Sequence, residues 1–144
     1  ELQARAQSDH SQDAALRETV ESLQTWVAEH RRDAAAWLLW AQACDALGLQ
    51  VRALRAQAAA RAAIGDLGSA IDRLRAAQAR IRSTAGGGDF IEASIIDTRL
   101  RELQAQRRQQ LEEMRAQRSP GQRTDLTEGD RHGAGAPLRK DPQP

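Results

Sequence analysis

Leu47-Gly48-Leu49-Gln50-Val51-Arg52-Ala53-Leu54 and Ile64-Gly65-Asp66-Leu67-Gly68-Ser69-Ala70-Ile71 repeat one frame, an apolar residue and glycine, a four-residue spacer, then alanine and an apolar residue. The two copies lie seventeen residues apart, the length of one helix plus its turn. Each copy therefore reads as an interhelical turn in a stack of antiparallel helices. Such stacks present a curved surface to another polypeptide, so the expectation is a binding module.

Working outward from the two turns, the flanking segments carry helical periodicity. Ahead of the first, Trp37, Trp40, Ala41, Cys44 and Leu47 form one stripe over 34–47, with Asp33 placed as N-cap and Gly48 as terminator. Between the turns, 50–64 is almost entirely Ala, Arg, Leu and Gln, strong helix formers, and Gly65 ends it. After the second turn Asp66 caps a helix over 67–83 on Leu67, Ala70, Ile71, Leu74, Ala77 and Ile81. Upstream, Leu16, Val20, Leu23 and Val27 predict an amphipathic helix over 13–30, with Ser11 or Asp13 as cap and residues 1–12 as a frayed end.

Downstream, Gly86-Gly87-Gly88 predicts a break and Asp89 a new cap. The long helix over 90–118 carries a seam of Ile91, Ile95, Ile96, Leu100, Leu103, Leu111 and Met114 that thins after Leu103. Its first half is expected to pack back on the stack as a cap. Residues 119–144 turn to Gly, Pro, Asp, Arg and Thr and read as a disordered tail, because they have too little apolar surface to offset ordering entropy. The domain is thus expected over 13–118.

Composition narrows the function. Net charge is +1 from 21 basic and 20 acidic residues, so no overall field recruits nucleic acid or an anionic membrane. Arg99, Arg101, Arg107, Arg108, Arg115 and Arg118 are interleaved with Asp97, Glu102, Glu112 and Glu113, the pattern of a solvated helix face. No segment is apolar for long enough to predict a membrane span. Cys44 is the only cysteine, which excludes an internal disulfide and allows either periplasm or cytoplasm; on an apolar stripe it reads as a core residue. The chain starts without Met or a signal-type apolar core, and is expected to be a piece of something longer.

Trp37, Trp40, Ala41, Cys44, Gly48, Ala53 and Ala60 resemble the signature positions of the tetratricopeptide repeat, whose unit is about 34 residues. Cys44 stands where that repeat has an aromatic, Gln57 where it has a large apolar residue, and its proline is missing. The fold expected is all-α: a tetratricopeptide-like (TPR) stack of antiparallel helices, an α-solenoid fragment, with a long C-terminal helix. A narrower resemblance rests on Ala-Ile-Gly-Asp-Leu-Gly-Ser-Ala-Ile at 63–71, the Gly-rich linker, and Glu92-Ala93-Ser94-Ile95-Ile96-Asp97-Thr98-Arg99-Leu100-Arg101-Glu102-Leu103. These look like the end of BepA-like periplasmic zinc metalloproteases, which carry a tetratricopeptide domain after the protease domain.

This resemblance implies an envelope protein of Gram-negative bacteria that cleaves or chaperones outer-membrane assembly intermediates. The stretch at hand would be its protein-interaction and regulatory domain. The implied location is the periplasm, and the implied partners are outer-membrane assembly components or the protease domain itself. Zinc chemistry needs a His-Glu-x-x-His helix; His10, His30 and His132 are unpaired, so no cofactor, metal ligand or catalytic residue is carried onto this chain. In tetratricopeptide stacks the first helix of each pair lines the concave side. That places Leu38, Gln42 and Asp45 as partner-binding residues and, if the helix over 50–64 takes that part next, Arg52 and Arg55. The alternative is a stand-alone scaffold, a homodimer joined through the long helix.

Overall fold

The computed structural model describes residues 2–84 and 89–118. Five helices follow in order: α1 (Leu2–Glu29), α2 (Ala34–Ala46), α3 (Gln50–Ala63), α4 (Leu67–Ser83) and α5 (Phe90–Arg118). The fold is all-α, a stack of packed helices. Two expectations, the Gly-rich break at 86–88 and the tail at 119–144, lie outside the described residues. The chain divides into two units, Glu1–Arg108 and Gln109–Pro144.

The repeated frame is a repeated helix stop. At the end of α2, Gly48 (φ +74°) donates its N–H to the Asp45 carbonyl at 2.9 Å, and Leu49 donates to the Cys44 carbonyl at 2.9 Å. At the end of α3, Gly65 (φ +82°) donates to Ala62 and Asp66 to Arg61, each at 3.0 Å. Both are Schellman closures, in which a left-handed residue turns the chain and its own N–H, with that of the residue after it, satisfies orphaned carbonyls. Only glycine adopts that φ without steric cost, which is why the glycine recurs.

The starts follow the same logic. Asp33 Oδ1 accepts from Ala36 N at 3.0 Å and Asp66 Oδ1 from Ser69 N at 3.1 Å, satisfying donors that no helical carbonyl reaches. Asp89 Oδ1 accepts from Ile91 N at 2.9 Å.

The start of α1 differs from expectation. The helix runs through Ser11 and Asp13 back to Leu2, so neither residue caps it; Ser11 Oγ donates to the Ser8 carbonyl instead. Residues 2–12 hold no Gly or Pro and include Gln3, Ala4, Arg5, Ala6, Gln7 and Gln12, so helical propensity carries them although residues 3–12 bury nothing.

Two clusters make the core. The first joins Val20 and Val27 of α1, Ala36, Trp40, Ala41, Ala43 and Cys44 of α2, and Ala53 and Ala56 of α3. The second joins Ala58 of α3, Leu67, Ala70, Ile71, Leu74 and Ala77 of α4, and Ile96, Leu100 and Leu103 of α5. Helix α3 serves both because its buried residues are alanines, Ala53, Ala56, Ala58 and Ala60, and small side chains let neighbours approach on two sides. The helix pairs whose Cα atoms come within 8 Å are α1–α2, α2–α3 and α3–α4.

Helix α5 joins through longer side chains and runs antiparallel to α4. Gln78 donates to Asp97 Oδ1 at 2.6 Å, and the Arg107 guanidinium lies beside Gly68. The buried residues of α5 are Glu92, Ile96, Leu100 and Leu103. The expected seam is thus split. Ile91 (73 % exposed) and Ile95 face away from the cluster because Glu92 and Ile96 set the buried line. In the second unit, Leu111 and Met114 are exposed.

Candidate protein-docking surface

On α2 the large apolar and small residues claim one side of the wheel. Ala36, Trp40, Ala41, Ala43 and Cys44 are buried there, and Trp37 packs at their edge. The opposite arc is left to solvent. It carries Leu38, Gln42 and Asp45 at the i, i+4, i+7 spacing of one helix face, all exposed, with Leu39 next to them. Leu38 keeps 48 % and Leu39 55 % of its surface in water. Two leucines beside an amide and a carboxylate can bury apolar area and fix a partner's orientation by hydrogen bonding.

Side chains around the α1–α2 turn brace the foot of this helix. Trp26 Nε1 donates to Asp33 Oδ2 at 3.0 Å, and the Trp26 ring stacks on His30 with centroids 3.8 Å apart. Trp37 Nε1 donates to the Arg31 carbonyl at 3.0 Å. The Ala36 N–H first, and then the Trp26 indole, hold the Asp33 carboxyl below the ordinary carboxylate range, because both bonds favour the charged form.

Arg52 and Arg55 do not join that arc. Arg55 donates from Nε to Glu92 Oε2 at 2.8 Å and from Nη2 to Glu92 Oε1 at 3.1 Å. Its guanidinium carbon lies 4.9 Å from the Trp40 ring centroid. Arg52 Nε sits 3.4 Å from Glu92 Oε1, and its Nη2 3.9 Å from Asp89 Oδ2. The physical reason is burial. Glu92 is only 6 % exposed, and a carboxylate taken from water needs cations against it, so both arginines are drawn to α5.

Glu92 itself escaped the sequence reading. The one available signal was its position four residues before Ile96, on the line that Leu100 and Leu103 continue. Beside this cluster lies a cleft of about 260 Å³ lined by Leu49, Val51, Arg52, Ile81, Asp89 and Glu92 among others.

Cys44 is fully buried, and burial pushes its thiol up; Arg52 and Arg55 pull more weakly the other way. Among the described residues no group of three or more His, Cys, Asp or Glu is placed to hold a metal ion, and no helix is long and apolar enough to cross a membrane. No family model, no curated protein and no solved structure matches the chain.

Proposed function

We propose that this chain is a protein-binding, regulatory helical-repeat domain of a larger envelope metalloprotease, and that the outward arc of α2 is where its partner docks. The carrying observation is the exposed set Leu38, Gln42 and Asp45, with Leu39, on a helix whose other side is committed to the core. The tetratricopeptide-like and BepA-like signatures support the parent and its periplasmic setting. The partner is a protein or peptide segment, an outer-membrane assembly component or the protease domain of the same polypeptide, and zinc belongs to that protease domain.

The codons upstream of Glu1 test the parentage: a His-Glu-x-x-His run is expected, and a reading frame without one contradicts it. The docking role is tested in the full protease with the Leu38→Glu, Gln42→Ala pair. Cleavage of protein substrates should fall about fivefold or more while cleavage of a short peptide is unchanged. Equal loss on both substrates, or no loss on either, overturns it.

Exposed Leu111 and Met114 favour a second reading, self-association through the far part of α5. Light scattering across a tenfold concentration range separates the two. A dimer that Leu111→Asp with Met114→Asp dissolves supports self-association, and a constant monomer removes it.

A further inference from the structure

We propose that the outward faces of α1 and α4 are the two complementary halves of one interface, through which copies of this chain join head to tail.

The net charge of +1 conceals a segregation. Helix α1 carries Asp9, Asp13, Glu18, Glu21 and Glu29 against Arg5 and Arg17, whereas α4 carries Arg73, Arg75, Arg80 and Arg82 against Asp72. All of these side chains are exposed. Among the described residues none of them has an ion-pair partner within the chain. The arginines of α3 give the contrast, since Arg52, Arg55 and Arg61 each meet an acid of the same molecule. Internal pairing cancels the field of α3 at the surface, while the fields of α1 and α4 remain, opposite in sign.

The fold keeps the two apart. Helices pack in chain order, α1 on α2, α2 on α3 and α3 on α4, and no Cα atom of α1 comes within 8 Å of one in α3 or α4. The acidic and basic faces cannot meet inside one molecule, and a second copy brings them together.

The shapes admit close contact. On α1, Glu18, Ser22, Trp26 and Glu29 follow at i, i+4, i+8, i+11, on the side away from buried Val20 and Val27. A shallow groove of about 590 Å³ runs along this side, lined by Ala15, Glu18, Thr19, Ser22, Leu23 and Trp26. On α4, Arg73, Ala76 and Arg80 follow at i, i+3, i+7, on the side away from Gln78, which bonds to α5. The exposed alanine between two arginines lets a neighbouring helix approach, so the guanidiniums reach Glu18 and Glu29 while their stems lie on half-exposed Trp26. A polyanion would use the arginines of α4 alone, whereas a second copy satisfies both faces. The contact is heterologous, so each joined pair still offers one acidic and one basic face, and copies add in a row. This interface is distinct from the α2 arc and does not depend on it.

Sedimentation velocity of the full chain, at about 25 mM and about 500 mM salt, reads the association. At low salt the weight-average mass should rise about twofold or more across a hundredfold concentration range, and at high salt it should return to that of the monomer. Arg73→Glu with Arg80→Glu should stay monomeric, as should Glu18→Arg with Glu29→Arg, because the reversal removes the opposition of charge between the two faces. Mixed in equal amounts, the two variants should associate again. Leu111→Asp with Met114→Asp should change nothing, which separates this contact from one through α5. Should a reversed variant lose its helical circular dichroism, the neutral pair Arg73→Gln with Arg80→Gln replaces it, with association weakened about fivefold or more. A wild-type chain that is monomeric at low salt, association that survives the reversals, or a mixture that stays monomeric overturns the proposal.

Discussion

Arg55 grips Glu92 with both arms of its guanidinium, at 2.8 and 3.1 Å, while lying over the Trp40 ring. Besides α3, this contact links the two core clusters, because Trp40 belongs to the first and Glu92 heads the α5 line whose Ile96, Leu100 and Leu103 lie in the second. A bidentate, largely desolvated pair is expensive to break from one side.

Glu92→Ala strands Arg55, which is 16 % exposed at its side chain, and should cost about 2 kcal/mol in chemical denaturation, below the fully buried case since Arg55 still reaches water. Replacing both, Arg55→Met with Glu92→Leu, should cost less than the sum of the single changes, with a coupling of about 1–2 kcal/mol. Additive costs would show that the pair does not act as a unit.

Trp40 gives an unusual substitution profile. Its Nε1–H is buried without a hydrogen-bond partner, a cost carried by the native state. Trp40→Phe removes that orphan along with some volume and should cost no more than about 1 kcal/mol, whereas Trp40→Ala opens the first cluster and should cost about 3–5 kcal/mol. Thermal melts of the two variants check the contrast.

Acid should loosen the helix starts first. Asp33 and Asp66 both hold their carboxyls below the ordinary value of 3.8, Asp66 through its bonds with Ser69. A depressed folded value means that this stability is fully present above the unfolded value and is lost as pH falls through the folded one. Stability should therefore hold above about pH 4 and decline below it. Asp33→Asn with Asp66→Asn keeps the capping oxygen and removes the charge, so the decline below that pH should flatten; an unchanged acid limb in urea midpoints would contradict the assignment.

Cys44 should be silent until the stack opens. Burial has raised its thiol and removed it from solvent. Ellman's reagent at pH 8 should leave the folded chain unlabelled over the time in which the guanidinium-unfolded chain reacts fully. Prompt native labelling would mean that α2 leaves its seat.

The helix ends were legible because they are local. Gly48 and Gly65 are required by a left-handed φ, and Asp33, Asp66 and Asp89 accept from N–H groups two or three residues on. Faces were legible where periodicity was clean, as on α2 and α4. They were ambiguous on α5, where Ile91, Ile95 and Ile96 offer two adjacent lines and only the position of α3 and α4 selects the one through Ile96. The destination of Arg52 and Arg55 was not readable either. It depends on Glu92, 37 residues beyond Arg55, and a charged residue in sequence does not announce that it will be buried.

The outward arc of α2 is where a partner is expected to dock. A photo-cross-linking residue placed at position 38 or 42 of the full-length protein in cells, with positions 75 and 102 as exposed controls, tests it directly. The predicted result is a product specific to 38 and 42 that mass spectrometry identifies as an outer-membrane assembly component or the protease domain. The same products in the same yield at all four positions would contradict it.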